Sequence, residues 1–341
     1  MGGGRGMSEE EPFEEEPLKK LKSLTPELIK TLKDKGYFTI ESLAVEAPNS
    51  LFETVGARPG FTLDKAREIV HEARDSLQIV IMDALQLYEI EKKRKRYTTG
   101  SKALDELLGG GIPEEEMTEF TGEYEVGKSE VCMTVAILAA EKGVNSWFLD
   151  SEGGITGKRL AEMAEARGLD PKKILPHIYQ GAVYGTEHLL FLIENAHKPI
   201  KDKNIKIIII DSFVSPFRAE YPGRELLYQR QPLINRCQRR LINYMRAYKL
   251  AVITTEQVMA KPEAAPLYHV RPEVLNPPVG GHIVSHAVSH RVYLQKPAGE
   301  TSKRLATLVA SNYMPRETRE FKITKAGVED VPPEEKKEEK K

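Results

Sequence analysis

Apolar residues recur along the chain in two different patterns, and the change between them divides it into two parts. At the helical spacing of three and four positions they run through Pro26–Lys35 and Leu63–Leu77, with glycine-rich breaks between. These short periods predict a small all-α domain over residues 18–77. The preceding residues 1–17 are acidic and glycine-rich without any period, which is typical of a disordered tail.

Residues 78–96 predict a linker between this helical domain and the rest of the chain. Its first part, Gln78–Ile90, is apolar, and its last part, Glu91–Arg96, is strongly charged. The basic run could contact phosphates, although a solvated linker is the simpler interpretation.

From Tyr97 onward, short runs of apolar and often β-branched residues alternate with longer amphipathic segments. Ser129–Lys142 and Pro232–Tyr248 predict helices. The predicted strands are Met117–Phe120, Ser146–Asp150, Ile205–Ile210, Leu250–Thr255, Arg291–Lys296 and Arg304–Ala310. This alternation predicts an α/β core over residues 97–330, with a mostly parallel sheet covered by helices on both faces. A polar tail, residues 331–341, is expected to be disordered.

The amino-acid composition and net charge exclude few classes of protein. The chain has 341 residues, 40% hydrophobic and 30% charged, with a net charge of −1, which is ordinary for a globular protein. A nucleic-acid partner would therefore be bound by local loops and not by one broad basic surface. No apolar run reaches the ~18 residues of a membrane span, so no membrane partner is expected. The two cysteines match no metal spacing, which indicates buried thiols in a reducing cytoplasm.

The strongest chemical signal lies between the first predicted strand and the first predicted helix of the core. Here the chain reads GEYEVGKS, which fits the phosphate-binding pattern GxxxxGK[ST]. Glycines let backbone N–H groups turn toward phosphates, and the helix N-terminus adds partial positive charge. The pattern predicts ATP and Mg²⁺ as cofactors, with Lys128 on the β- and γ-phosphates and Ser129 on the metal. The candidate nucleotide-binding residues are Gly122, Glu123, Tyr124, Glu125, Val126, Gly127, Lys128, Ser129 and Glu130.

Two further carboxylates are expected at the same edge of the sheet. Asp211 follows the run of isoleucines and stands where an α/β sheet presents its ligand groups, so it is the predicted second anchor for Mg²⁺. Glu152 follows the strand Ser146–Asp150 and is the candidate that orients the attacking water. Asp150 is the rival for that catalytic role.

Longer strings of the chain are similar to those of a known family. Residues 211–224, DSFVSPFRAEYPGR, and residues 99–112, TGSKALDELLGGGI, resemble the archaeal RadA recombinases of the RecA superfamily. Shorter matches occur at residues 164–171, 257–260 and 278–282. The resemblance runs from about residue 18 to about residue 330, and the string RAEYPGR is far more specific than the phosphate-binding loop alone.

This resemblance implies a RecA-type ATPase core and a DNA-dependent ATPase activity. It implies a helical filament on single-stranded DNA, with ATP between neighbouring protomers, that pairs and exchanges homologous strands in recombination and repair. The implied partners are single- and double-stranded DNA, further copies of the chain in a filament or ring, and recombination mediators. The implied location is the cytoplasm, in association with the nucleoid.

Individual positions match residues with known tasks in that family. Arg159 matches the arginine that stacks on adenine, and Gln257 matches the glutamine that senses the γ-phosphate and completes the catalytic set with Glu152 and Lys128. The family binds DNA through two loops. The segment 211–224 leads into the first, where the matching candidates are Arg218, Arg224 and Arg230; the second spans roughly residues 258–283, where the candidates are Gly280, Gly281 and His282.

The resemblance also implies roles for the linker and the helical domain. Ile81 and Ala84 match the family's Phe-x-x-Ala motif that docks onto the next protomer, with isoleucine in place of phenylalanine. Residues 18–77 resemble the family's helix-hairpin-helix domain, which presents backbone N–H groups to DNA phosphates. The first turn, Leu24–Pro26, lacks the expected glycines, which disfavours phosphate binding there, whereas the second turn retains Gly56 and Gly60.

Several departures leave an alternative open. Glu125 stands inside the phosphate-binding loop, where it would repel phosphates unless its side chain points outward. Glu256 replaces the family's asparagine before Gln257 and would repel a DNA phosphate or alter the coupling. These carboxylates and a longer second loop suit an accessory RadA paralogue that binds ATP and DNA, or a partner recombinase, without strand exchange. A ring-forming motor is a third hypothesis, which the helical domain and the RAEYPGR string disfavour.

Overall fold

The computed structural model describes most of the chain and divides it into two compact units, residues 1–81 and 82–341. This division falls inside the predicted linker. The described residues are 17–76, 82–223, 225–258 and 287–332. Within those ranges no helix combines the length and the apolar character needed to cross a membrane.

The N-terminal unit consists of short helices around an aliphatic core. A 3₁₀ turn at Pro17–Lys20 precedes α1 (Pro26–Asp34), α2 (Ile40–Ala44), α3 (Pro48–Val55) and α4 (Leu63–Ser76). The Thr25 hydroxyl accepts from Leu28 N and caps α1, and Pro26 suits its first turn. Leu32, Leu43 and Ile69 are fully buried. The two helical periods found in the sequence correspond to α1 and α4.

The next helix, α5 (Ala84–Lys92), buries none of its side chains. It is stabilised locally, because Asp83 and Gln86 form a reciprocal capping box. The charged run that follows is not a uniformly solvated linker as the sequence suggested. Arg94 forms ion pairs with Glu115 and Glu116, and Arg96 donates to the carbonyl groups of Leu108 and Gly111. These two arginines therefore anchor the run to the core.

The second unit is built on one nine-stranded sheet with the strand order β11-β10-β9-β8-β3-β7-β6-β4-β5. In this order, the six strands from β8 to β5 pair with one another in parallel. The pairs β8–β9, β9–β10 and β10–β11 are antiparallel. β1 and β2 form a separate antiparallel pair. The bounds are β1 (Arg96–Tyr97), β2 (Ile112–Pro113), β3 (Met117–Gly122), β4 (Asn145–Asp150), β5 (Ile178–Ala182), β6 (Ile205–Asp211), β7 (Ala251–Gln257), β8 (His290–Gln295), β9 (Lys303–Ser311), β10 (Thr318–Thr324) and β11 (Gly327–Glu329).

Helices cover both faces of this sheet. They are α6 (Lys102–Leu107), α7 (Lys128–Glu141), α8 (Gly157–Ala166), α9 (Pro171–Ile174), α10 (Thr186–Glu194), α11 (His197–Asp202), α12 (Ser215–Glu220) and α13 (Leu227–Tyr248). Ile207 and Ile209 belong to the hydrophobic cluster around α7, and the alternate residues Ile208 and Ile210 are buried on the opposite face. The predicted α/β class with a mostly parallel sheet is confirmed.

One helix boundary differs from the sequence-based expectation. The amphipathic pattern predicts a long helix over Pro232–Tyr248. The helix α13 begins instead at Leu227 and holds Pro232 inside it. Proline there forgoes only one backbone hydrogen bond, which the rest of a 22-residue helix tolerates.

Candidate functional site

The loop between β3 and α7 has the backbone of a phosphate-binding loop. Glu125 and Gly127 adopt positive φ angles of 61° and 102°. The φ angle of Gly127 is one that residues with a Cβ atom rarely adopt, and a Cβ there would also press on the end of the Ile323 side chain. The buried Arg304 braces the loop, because its Nε donates to Val126 O at 3.0 Å. The side chain of Glu125 is exposed to solvent.

Lys128 begins α7 and points into the loop. Its Nζ donates to Gly122 O at 3.0 Å and to Glu123 O at 2.7 Å, and only 9% of the residue is exposed. Burial lowers the pKa of the Lys128 ammonium, and the carboxylates of Asp211 and Glu152 oppose that shift. A buried ammonium surrounded by backbone carbonyls fits a polyphosphate, which would supply the negative charge that the carbonyl groups lack.

Asp211 ends β6 beside this loop and is held firmly at the sheet edge. It is 4% exposed, its side chain accepts a hydrogen bond from the Thr255 hydroxyl, and its carbonyl accepts from Ser151 N at 2.8 Å. Thr255 had not been singled out in the sequence. Strand alternation could have pointed to Thr255, because residues two positions apart in a strand share a face and Thr255 lies two positions before Gln257 in β7.

The two rival carboxylates after β4 have different surroundings. Asp150 is 4% exposed, and its oxygens accept four hydrogen bonds of 2.8–3.2 Å from the backbone of Glu152, Gly153 and Ile155 and from Gln180 Nε2. These bonds make Asp150 the organiser of the loop. Glu152 is exposed, and Gln257 Nε2 donates to both of its oxygens at 3.2 Å. This geometry favours Glu152 as the residue that orients water.

Arg159, the predicted adenine platform, is fixed by a bidentate ion pair. Its Nε and Nη2 donate to the two oxygens of Glu130 at 3.1 and 2.7 Å. The same guanidinium donates to the backbone carbonyls of Thr324 and Lys325. Glu130 lies in the first turn of α7, so the ion pair holds Arg159 beside the phosphate-binding loop.

The predicted DNA-binding residues are brought together only in part. Arg218 lies on α12 and Arg230 on α13, where Arg230 Nη1 donates to Tyr221 O at 3.0 Å. Burial lowers the pKa of Arg230, and the charge of Arg218 lowers it further, which indicates that the two cations are neighbours.

Other predicted residues lie outside the described ranges: Arg224, Gly280, Gly281, His282 and the docking residue Ile81. Its partner in that motif, Ala84, is exposed as the first residue of α5.

Glu256, the other departure in β7, is 1% exposed, and strand alternation places its side chain on the sheet face opposite that of Thr255.

In the N-terminal unit, the two backbone amides directly before the turn Leu24–Pro26 already have an acceptor. Glu72 of α4 accepts from Lys22 N at 2.6 Å and from Ser23 N at 2.8 Å. Burial opposes ionisation of Glu72, but the hydrogen bonds from Ser23 and Lys22 hold its pKa below the usual value. The turn is therefore closed by a carboxylate of the protein itself.

Comparisons with known proteins agree with this geometry. The sequence pattern of the Rad51 family matches residues 91–331. The DNA repair and recombination protein RadA of Metallosphaera sedula is 37% identical over 321 residues, which cover 92% of this chain and 95% of the relative. RadA of Aeropyrum pernix is 35% identical over 316 residues, covering 91% and 95%.

Proposed function

The chain belongs to the Rad51 family, and from that premise we propose that it is an ATP-driven recombinase that exchanges homologous DNA strands. Its role in DNA recombination and repair follows from relatives named for that task over nearly the whole chain. The observation that carries the finer proposal is the contact between Glu152 and Gln257. It joins the candidate catalytic carboxylate to the last residue of β7, directly before the second loop.

The phosphate-binding loop and its neighbours hold the nucleotide. Lys128 neutralises the β- and γ-phosphates, and Arg159 supports the adenine while Glu130 fixes its guanidinium. Ser129 and Asp211 hold Mg²⁺, which would polarise the phosphates. The positive φ angle of Gly127 in this loop and the carbonyl groups around Lys128 both support this assignment.

ATP hydrolysis needs an oriented water molecule. Glu152 is the exposed carboxylate at the sheet edge, and it accepts a proton from that water or orients it. Gln257 leaves Glu152 when it contacts the γ-phosphate, and in doing so it reports the nucleotide state to the second loop. Asp150 holds the loop that carries Glu152.

DNA binds at the loops that follow α12 and β7. Arg218, Arg224 and Arg230 neutralise phosphates of a single strand, and Gly280, Gly281 and His282 contribute from the second loop. Further copies of the chain extend the filament through the segment that contains Ile81 and Ala84, because a head-to-tail contact that does not close generates a helix. Mediators of recombination are expected to control its loading onto DNA at the nucleoid.

At its first turn, the N-terminal unit is better suited to packing within the protein than to binding a DNA phosphate. The amides of Lys22 and Ser23 already donate to Glu72, so a DNA phosphate would have to displace that carboxylate. The second turn keeps Gly56 and Gly60 with positive φ angles of 80° and 78°. It is the better candidate for a DNA contact.

Assembly on DNA tests this proposal. We expect the wild-type chain to form filaments on single-stranded DNA in electron micrographs only when ATP and Mg²⁺ are present. Lys128→Ala should abolish them, because the phosphates lose their buried cation, whereas Lys142→Ala at the far end of α7 should not. Rings in place of filaments, or filaments formed equally by Lys128→Ala, would contradict the proposal.

A further inference from the structure

The antiparallel part of the sheet contacts the nucleotide site at three places. In β9, the side chain of Arg304 reaches the carbonyl of Val126 in the phosphate-binding loop. In β10, the end of the Ile323 side chain lies against Gly127. The carbonyl groups at and directly after the end of β10 accept hydrogen bonds from Arg159. These strands therefore support the loop from a part of the chain far from it in sequence.

Arg304 carries a buried positive charge that is held by backbone carbonyl groups. The residue is 7% exposed. Its Nε donates to Val126 O at 3.0 Å, and its Nη1 donates to the carbonyl oxygens of Thr301 and Lys303 at 2.9 Å each. No carboxylate of the described residues forms an ion pair with it, and burial lowers the pKa of its guanidinium. An anion bound nearby would therefore stabilise this cation.

The hydrogen bond from Arg304 fixes the direction of the peptide group between Val126 and Gly127. This peptide is trans, and in a planar trans peptide the C=O and the N–H point in opposite directions. With its C=O on Arg304, the peptide presents the Gly127 N–H to the opposite side of the loop. That N–H donates to no acceptor among the described residues, and Gly127 is the N-cap of α7. Such an amide is suited to an anionic ligand.

We propose that Arg304 is a positioning residue of the nucleotide site, which holds Val126 O so that the Gly127 N–H is directed at the polyphosphate of a nucleoside di- or triphosphate. Its charge also polarises this peptide group, which strengthens the N–H as a donor. The bound phosphates in turn stabilise the buried guanidinium across the peptide. The inference rests on the proposed function, in which this loop binds ATP, and it adds a residue that lies outside the loop.

The proposal predicts which kinetic constant depends on Arg304. The amides of the loop contact the α- and β-phosphates, which ATP and ADP share. Loss of Arg304 should therefore weaken the binding of both nucleotides and leave the γ-phosphate chemistry of Lys128 and Glu152 in place. For Arg304→Gln we expect the KM for ATP in DNA-stimulated hydrolysis to rise about tenfold. The kcat at saturating ATP should change by less than about twofold, as for a loss of uniform binding.

Titration calorimetry with ADP and Mg²⁺ on the full chain measures the binding step alone. Arg304→Gln keeps a side-chain donor without the charge, and Arg304→Lys keeps the charge without the fork of donors. We expect the Kd for ADP to rise about tenfold in Arg304→Gln and about threefold in Arg304→Lys. Arg319→Gln is the matched control, because this partly exposed arginine of β10 pairs with Glu317. It should bind ADP like the wild-type chain.

Thermal unfolding without nucleotide shows whether each variant folds, and Arg304→Lys alone decides the test if Arg304→Gln does not. A folded Arg304 variant with the wild-type Kd for ADP would overturn this inference alone. So would a loss shared equally by KM and kcat, because it would indicate general damage to the site. Failure of the wild-type chain to bind ADP or ATP would overturn the proposed function and this inference with it.

Discussion

Glu152 and Asp150 lie two positions apart in the sequence, yet the hydrogen bonds around them separate their tasks. Asp150 is buried and receives three backbone amides and one side-chain amide. A carboxylate that accepts four hydrogen bonds is committed to holding its own loop. Glu152 remains exposed, and both of its carboxylate oxygens accept from Gln257 Nε2.

Replacing Glu152 by glutamine tests that division of roles. We expect kcat for DNA-stimulated ATP hydrolysis to fall by about 10²–10⁴-fold, because the loss of a positioned general base has effects of that size. ATP binding should persist, since Lys128 and Arg159 are untouched. Single-turnover hydrolysis and nucleotide binding measured on the same variant distinguish the two steps, and an unchanged kcat would rule out Glu152 as that base.

The ion pair between Glu130 and Arg159 makes a second prediction at this scale. Glu130→Ala should weaken ATP binding by about three- to tenfold, as expected for a partly exposed bidentate pair worth about 1 kcal/mol. Inorganic triphosphate should bind as before, because it has no adenine to rest on Arg159. Glu141→Ala at the other end of α7 is the control, and an equal loss for both ligands would show that the variant damages the phosphate-binding loop instead.

Among the elements, those buried on both faces were the easiest to predict from the sequence. The isoleucine run of β6 and the glycine pattern before α7 specify their structures locally. The anchoring of Arg94 and Arg96 was not predictable, because their acceptors lie elsewhere in the chain and come close only through folding. The burial of Glu256 depended in the same way on its neighbours Glu119 and Arg291.

The link between α4 and the first turn of the N-terminal unit gives a prediction about pH. The pKa of Glu72 is lowered in the folded chain, so its stabilising contribution is present above the unfolded pKa and is lost as pH falls through the lower folded value. Hydrogen exchange at the amides of Lys22 and Ser23 should accordingly accelerate on acidification below about pH 4.5. Correction for the intrinsic pH dependence of exchange is part of the measurement.

Glu72→Gln should accelerate exchange at the same two amides already at neutral pH, because a neutral amide oxygen is a weaker acceptor than a carboxylate. Glu68→Gln, one turn earlier on the exposed side of α4, is the matched control and should leave them protected. Unchanged protection in Glu72→Gln would mean that the carboxylate does not close the turn.

For the whole molecule, self-association is predicted to depend on the segment before the core. Ala84 is exposed at the start of α5, a helix that buries no side chain within its own chain. Ala84→Glu should reduce filament length in the presence of ATP, because a buried charge in a protomer contact is costly. Lys93→Glu, at the other end of this helix, should not, and equal filament lengths for Ala84→Glu and wild type would remove Ala84 from the docking contact.

Strand exchange tests the account most directly. A circular single strand and a homologous linear duplex are incubated with the purified chain, ATP and Mg²⁺, and joint molecules are resolved by gel electrophoresis. The account predicts joint molecules that require ATP, homology and Lys128. Absence of joint molecules, although the chain binds single-stranded DNA in an ATP-dependent manner, would contradict it.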